Sequence, residues 1–111
     1  LAGALYEETV PLAQEVKDAR LELECWRMAG WCWETQKEAE RALALGQRAW
    51  EVGRALDAQT RATSTLPYVA EALVRLSHER RGPGAARAME REIESVLGPD
   101  WRPETPAAGG A

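Results

Sequence analysis

Hydrophobic residues recur with helical spacing most clearly between residues 19 and 36. Three or four positions separate Leu23, Trp26, Gly30 and Trp33. One face of a helix would therefore carry all four. Residues 38–56 repeat this pattern with apolar or small side chains at Ala42, Leu45, Ala49, Val52 and Leu56. The two segments predict two amphipathic helices.

Residues 1–17 predict a further helix with a weaker pattern. Its apolar residues lie on a roughly helical period and comprise Leu5, Leu12, Ala13 and Val16. Pro11 either kinks this helix or lies in the first turn of a helix that starts at Thr9, because an interior proline removes one backbone hydrogen bond.

The remaining helices are predicted over residues 58–80 and 85–97. Thr63 to Thr65 and Pro67 weaken the first half of the earlier one, so we expect a bend near Pro67. Gly82, Pro83 and Gly84 separate the two segments, and Gly98 with Pro99 ends the second. The chain is thus predicted to be all-α, with about five helices in a domain of residues 1–98. Residues 99–111 form a Pro/Gly/Ala-rich tail in which Trp101 could fold back onto a hydrophobic gap.

Two aspartates mark a boundary that the chain uses twice. Asp18 and Asp57 are each followed by Ala and a polar stretch that leads into a predicted helix. This recurrence favours an internal duplication of a helical hairpin.

The spacing of aromatic and small residues resembles a known repeat family. Trp26, Ala29, Gly30 and Trp33 fit the pattern W-x-x-A-G-x-x-W, and two small residues follow at the expected distances, Ala42 and Ala49. This pattern resembles the tetratricopeptide repeat, whose units are antiparallel helical hairpins that bury their apolar faces by stacking. The resemblance implies a short α-solenoid. It covers residues 19–56 well, residues 57–97 loosely, and residues 1–18 only as the second helix of a preceding unit.

Three positions depart from the family pattern. Gly46 stands where the family usually has a bulky aromatic residue, and Arg54 stands where it often has proline. In the second unit Leu66 replaces the tryptophan. The turn between units is therefore expected to be longer or differently angled than in the family.

The resemblance also implies a concave groove lined by the first helix of each unit. Its ligand-facing positions fall on Glu24, Arg27, Trp31, Glu34 and Thr35 in the first unit. In the second unit they fall on Ser64, Pro67, Glu71, Val74 and Arg75. The lysines and asparagines with which some members clamp a carboxyl-terminal peptide are absent from these positions, which argues against a chaperone-tail clamp.

Trp31 is the favoured anchor for a partner. On a helix it lies about 140° from Trp26 and about 160° from Trp33, so it cannot share their buried stripe. Tryptophan is enriched among residues that dominate binding energy. The alternative, which carries equal weight, is that Trp31 covers a neighbouring helix or a subunit interface.

Composition limits the kinds of binding partner and the cellular location that the sequence favours. The formal net charge of -4 argues against nucleic-acid binding, which depends on neutralising phosphates. No apolar run approaches the length of a membrane span, and the amino end lacks the features of a secretory leader. We therefore expect a cytoplasmic protein that binds neither membranes nor nucleic acids. The chain starts at Leu1 without methionine, which is compatible with a fragment whose first helix leaves an apolar side uncovered.

Candidate chemistry is sparse. Cys25, Cys32 and His78 supply at most three zinc ligands, and no loop gathers them. The Gly82–Gly84 turn lacks the Lys-Ser/Thr that a phosphate-binding loop requires. The sequence thus predicts no cofactor, no metal site and no catalytic residues, and the cysteines are expected to be buried and reduced.

The leading hypothesis is a helical-repeat module that binds a protein or peptide partner, as part of a bacterial regulatory or signalling protein. The alternative is a self-associating helical bundle that forms a homodimer or packs against neighbouring domains of its parent chain. A small enzyme is a third hypothesis, and no nucleophile, base and orienting group supports it.

Overall fold

The computed structural model describes residues 2–103, and all regular structure in that range is helical. The six helices are α1 (Ala2–Glu15), α2 (Ala19–Thr35), α3 (Ala39–Arg54), α4 (Ala58–Ala62), α5 (Leu66–Arg81) and α6 (Pro83–Leu97). The prediction of an all-α chain is confirmed. The predicted number of about five becomes six because residues 58–80 form two helices. Residue 1 and residues 104–111, which include most of the predicted tail, lie outside the described part of the chain.

The α1–α2 and α2–α3 connections have the same geometry. Lys17 and Lys37 both adopt left-handed backbone conformations, with φ of 57° and 63°. The next amide in each turn, that of Asp18 or Glu38, donates a 2.9 Å hydrogen bond to a carbonyl five residues back. These turns close the ends of α1 and α2 in the manner of a Schellman motif, in which glycine is the usual left-handed residue.

The boundary marked by the two aspartates is visible as helix capping. Asp18 accepts a hydrogen bond from the Leu21 amide at 3.0 Å, and Asp57 accepts one from the Thr60 amide at 2.8 Å. Each carboxylate satisfies an otherwise unpaired amide in the first turn. However, Asp57 caps the five-residue α4, whereas Asp18 caps the long α2.

The break between α4 and α5 replaces the expected bend near Pro67. The Thr63 and Ser64 hydroxyls donate to the carbonyls of Thr60 and Arg61 at 3.2 and 2.8 Å. Such local bonds compete with helix continuation. The chain restarts at Leu66, and Pro67 lies in the first turn of α5, where its missing amide proton is not needed.

The five long helices pack in chain order, with the short α4 left out of the series. Helix α1 packs on α2, α2 on α3, α3 on α5, and α5 on α6. One hydrophobic cluster joins α2, α3, α5, α6 and the segment after α6, where Trp101 is only 6% exposed. Its buried members are Leu23, Ala42, Leu43, Ala49, Trp50, Leu66, Val69, Ala70, Leu73, Leu76, Ile93 and Trp101. None of the described side chains of helix α1 belongs to this cluster.

Among the described glycines, Gly53 on α3 has the least space beside it, where α3 meets Leu66 of α5. A Cβ atom added to Gly53 would lie 3.0 Å from Leu66 Cγ and nearer still to both methyl carbons. By contrast, a Cβ at Gly30, the glycine of the family pattern, would meet its nearest neighbour, the Ala42 carbonyl oxygen, at 3.5 Å. That is ordinary van der Waals contact, so the tightest contact depends on Gly53.

Helix α1 leaves both of its described leucines exposed, and Val16 in the turn after it is exposed as well. Val10 and Ala13 are buried, whereas Leu5, Leu12 and Val16 are 65%, 60% and 68% exposed. Ala13 therefore faces away from the leucines and the valine with which the sequence pattern grouped it. The helix also runs through Pro11 and does not begin at Thr9.

Among the helices of residues 2–103, none combines the length and the apolar character needed to cross a membrane.

Candidate functional site

A groove lies between α2 and α5, with α3 as its floor. The lining residues come from these three helices and are Arg27, Gly30, Trp31, Glu34, Ala42, Gly46, Tyr68, Val69, Ala72, Leu73, Arg75 and Leu76. The hollow has a volume of about 50 Å³. Apolar side chains line its depth, and charged groups stand along its rim.

Small residues on α3 create the hollow. Ala42 and Gly46 form the floor, and Gly46 is one of the positions that depart from the family pattern. A Cβ at Gly46 would already lie 3.1 Å from Leu73 Cδ2. A bulky aromatic side chain at this position would therefore fill the space, so the glycine is what leaves the groove open.

Two side-chain links connect α2 with α5 and the residue before it, one at the groove and one beside it. The Thr65 hydroxyl donates to Glu24 Oε1 at 3.0 Å. Arg75 forms a two-pronged ion pair with Glu34, in which Nη2 lies 3.3 Å from Oε1. Both links connect residues 41 positions apart, so α2 and α5 run in the same direction.

The Arg75 guanidinium serves two carboxylates. Besides Glu34 on the opposite wall, Glu71 lies 3.4 Å away on its own helix. The hydrogen bond to Glu34 is the main reason that the pKa of Arg75 is raised above its usual value, and burial opposes this effect. Arg75 therefore stays charged at the rim of the groove.

The Arg27 side chain is held by Glu24, a residue of the same helix. Its Nε donates to Glu24 Oε1 at 2.6 Å and its Nη2 donates to Oε2 at 3.2 Å. Burial of Glu24 would raise the pKa of its carboxyl group, but the hydrogen bonds and charge of Arg27, with the Thr65 hydroxyl, lower it overall. The Glu24 carboxylate is therefore ionised and fully engaged.

Trp31 differs from the other four tryptophans. Guanidinium groups lie over Trp33, Trp26 and Trp101, with Arg41 at 4.0 Å, Arg48 at 5.3 Å and Arg102 at 4.6 Å from the ring centroids. The indole N–H groups of Trp26, Trp33 and Trp50 donate to Glu22, Glu7 and Glu92.

Trp31 has neither kind of partner among residues 2–103. It is 43% exposed and lines the groove. The indole is thus available on the side of α2 that faces the groove.

The structure places four of the proposed site residues around the groove. Arg27, Trp31, Glu34 and Arg75 line it, and the other members of the set lie beside it or away from it. Glu24 and Glu71 form the ion pairs described above. The Thr35 hydroxyl donates to the Cys32 carbonyl at 2.7 Å, and Val74 packs against the hydrophobic cluster. Ser64 and Pro67 line separate surface hollows.

The second-unit positions are shifted by one residue relative to the family-based assignment. Residues opposite α2 are Thr65, Tyr68, Ala72 and Arg75. The assignment has Ser64, Pro67, Glu71, Val74 and Arg75, so it shares only Arg75 with this face. Tyr68 and Ala72 were therefore missed. Their spacing to Arg75, seven and three residues, is the signal that would have identified one helix face.

The two cysteines lie on α2, and both are buried as expected. Burial raises the pKa of the Cys25 thiol, and the negative charges of Glu24 and Glu22 raise it further. A raised pKa leaves little thiolate at neutral pH and so disfavours nucleophilic chemistry. Within residues 2–103, no three His, Cys, Asp or Glu side chains are grouped so that they could hold a metal ion.

Comparisons of the chain with protein-family models, with curated proteins and with solved structures found no match.

Proposed function

We propose that the chain is a tetratricopeptide-like interaction module that binds a peptide or a partner helix in the groove between α2 and α5. In this proposal it acts in the cytoplasm as part of a bacterial regulatory or signalling protein. The observation that carries the proposal is Trp31, whose exposed indole lines an apolar hollow and has no partner among the described residues. Burial of such a ring by a ligand is a common source of binding energy.

Side-chain links between equivalent helices support the repeat-like arrangement. Arg41 on α3 pairs with Glu7 on α1, 34 positions earlier. Trp50 on α3 donates to Glu92 on α6, 42 positions later, and the α2–α5 links span 41. The longer second spacing fits an extra segment, α4, between otherwise similar hairpins.

The proposal can be tested with dodecapeptides selected from a phage-displayed random library. The binding affinity of the selected peptides is then measured by fluorescence polarisation for the wild type and for Trp31→Ala. We expect the substitution to weaken binding by more than about 1 kcal/mol, with the melting temperature nearly unchanged.

Leu21→Ala is the matched control, because Leu21 is on the same helix, is 41% exposed and does not line the groove. It should bind like the wild type. A library that yields no Trp31-dependent peptide would contradict the proposal, as would a Trp31→Ala variant that melts early but binds normally.

Self-association is a second candidate function, and the outward side of α1 favours it. Leu5, Leu12 and Val16 are more exposed than any other large hydrophobic residue among those with described side chains. A second copy or another domain could cover them. Light scattering tests this candidate: a dimer that Leu12→Glu converts to a monomer supports it, and a wild-type monomer at high concentration contradicts it.

A further inference from the structure

Three of the five tryptophan rings of this chain lie under an arginine side chain, in a sequence whose only lysines are Lys17 and Lys37. Of the five rings, Trp26, Trp33 and Trp101 each carry a guanidinium group, at 5.3, 4.0 and 4.6 Å from the centroid. The face of an indole attracts cations, and arginine also stacks on it through its planar guanidinium. Trp31 is an equivalent ring without an arginine from residues 2–103 over it.

The wall opposite Trp31 leaves room for such a group. Ala72 stands on α5 at the same 41-residue offset that joins Glu24 to Thr65 and Glu34 to Arg75, and it also lines the groove. Its single methyl group cannot cover an indole. One turn earlier, Tyr68 adds a second aromatic ring to the same wall.

Glu34 supplies a carboxylate one turn from Trp31. It is held by Arg75, which is also within 3.4 Å of Glu71. If Glu34 moves to a ligand, Arg75 still keeps a negative partner on its own helix. The exchange therefore leaves no uncompensated charge at a half-buried site, which is the main cost of breaking such pairs.

The charge around the groove favours a cation. The lining itself carries the guanidinium groups of Arg27 and Arg75 and the carboxylate of Glu34. Beside the groove, Glu24 pairs with Arg27 and Glu71 pairs with Arg75, so the five residues together hold three carboxylates and two guanidinium groups. The whole chain has a formal charge of -4. An acidic ligand would meet excess negative charge and the negative face of an indole.

On the basis of the proposed function, we propose that the groove selects peptides carrying an arginine, whose guanidinium stacks on Trp31 and pairs with Glu34 in place of Arg75. The Arg75–Glu34 ion pair then occupies the mouth of the empty groove and is exchanged when the peptide enters. Lysine is a weaker substitute, because its ammonium is strongly hydrated and cannot stack as a plane.

The experiment uses the phage-displayed dodecapeptides selected on the wild-type protein. We expect the selected peptides to share an arginine. Synthetic versions of one selected peptide, with this arginine kept or replaced by citrulline, which is neutral and similar in shape, are then measured on wild type, Glu34→Gln and Glu38→Gln. Citrulline should weaken binding to the wild type about tenfold or more, and this difference should shrink to about twofold on Glu34→Gln.

Glu38→Gln is the matched control, because it removes the same charge from an exposed residue that does not line the groove. It should preserve the full difference between the two peptides. A second pair of variants tests the position of the site: Ala72→Leu should abolish binding by covering Trp31, whereas Ala44→Leu, at an exposed position on α3, should not.

The outcomes separate this inference from the function on which it rests. Selected peptides that depend on Trp31 but lack a cation, or that bind equally with citrulline, overturn the arginine specificity and leave the groove function standing. Peptides whose binding is independent of Trp31 overturn both. An equal citrulline effect on wild type and Glu34→Gln assigns the arginine to another carboxylate and also overturns the proposal.

Discussion

The two outer helices of the molecule, α1 and α6, differ in the polarity of their exposed sides. Helix α1 presents Leu5 and Leu12 to solvent, as does Val16 in the turn that follows it, each at least 60% exposed. At the other edge, α6 buries Ala86 and Ile93 and leaves charged residues outside. The chain after α6 then returns to place Trp101 in the hydrophobic cluster. Of the two, only the α6 edge has the polar exterior that an isolated helical array needs.

This difference shows that the apolar content of a helix does not fix its orientation. Helix α1 turns its small residues inward, because its contact with α2 is close: a Cβ on Gly3 would lie 2.8 Å from the Trp33 indole nitrogen. Val10 is buried with them, whereas Leu5 and Leu12 are left outside. The hydrophobic cluster consequently runs from α2 to Trp101, and α1 is attached to it from one side.

Of the variants that test this comparison, Trp101→Ala is expected to change the free energy of unfolding most. The substitution removes a buried ring from the cluster and should lower the free energy of unfolding by about 3 kcal/mol. Leu12→Ala at the other edge is the control and should change it by less than about 0.5 kcal/mol. Chemical denaturation measures both, and equal losses would show that the two edges do not differ in this way.

Gly53→Ala tests the contact between α3 and α5. The added methyl group would overlap the Leu66 side chain and force α3 and α5 apart, so we expect a loss of about 2 kcal/mol. Gly30→Ala is the matched control. Its methyl group fits, and the better helix propensity of alanine should raise stability by about 0.5 kcal/mol. The reverse order of the two variants in a denaturation series would contradict the assignment of the tightest contact.

Lys37→Gly should have a smaller effect than Gly53→Ala, and in the opposite direction. Glycine adopts the left-handed conformation of this turn without steric cost, although it loses more entropy on folding. We expect the free energy of unfolding to rise by about 0.5 kcal/mol. Lys37→Ala keeps the Cβ atom and should bring no gain. If the two variants are equally stable, backbone strain is not what the glycine relieves.

The smallest effect concerns the ion pair between the start of α3 and the end of α5. Hydrogen bonds from Arg81 and Arg80 lower the pKa of Glu40 from its usual 4.5 to about 2. A lowered folded-state pKa stabilises the protein above pH 4.5 and loses this effect as the pH falls toward 2. Because the pair is exposed, the effect is small and sensitive to salt.

A comparison of wild type and Glu40→Gln checks the predicted direction of this pH dependence. The melting temperature of the wild type should be slightly higher at neutral pH, and the difference should disappear near pH 2. A difference that persists at that pH would show that the carboxylate does not act through its charge.

The sequence predicted α2 and α3 well because their apolar positions follow one period without interruption. The predicted segments, residues 19–36 and 38–56, differ from Ala19–Thr35 and Ala39–Arg54 by no more than two residues at either end. Helix α1 was harder to orient, because apolar residues lie on two of its faces and periodicity alone cannot choose between them.

The candidate groove was predicted in part. Trp31 was identified because its angular position separates it from the buried stripe, which depends only on helix geometry. On the opposite wall Arg75 lines the groove as assigned, but the other assigned positions are displaced by one residue, because α4 and the break before Leu66 set the register of α5. Hydroxyl-to-backbone hydrogen bonds determine that break, and a family pattern without α4 cannot anticipate it.

The reactivity of the two cysteines can report how firmly α1 packs on α2. Cys25 and Cys32 are buried on α2 but lie outside the hydrophobic cluster, and α2 is the helix on which α1 packs. A thiol-specific alkylating reagent can reach them only when the surrounding structure opens. Their labelling rate, compared with that of the unfolded chain, would therefore report the free energy of local opening around α2. A value well below the global free energy of unfolding would mean that α2 becomes accessible on this side while the rest of the molecule remains folded.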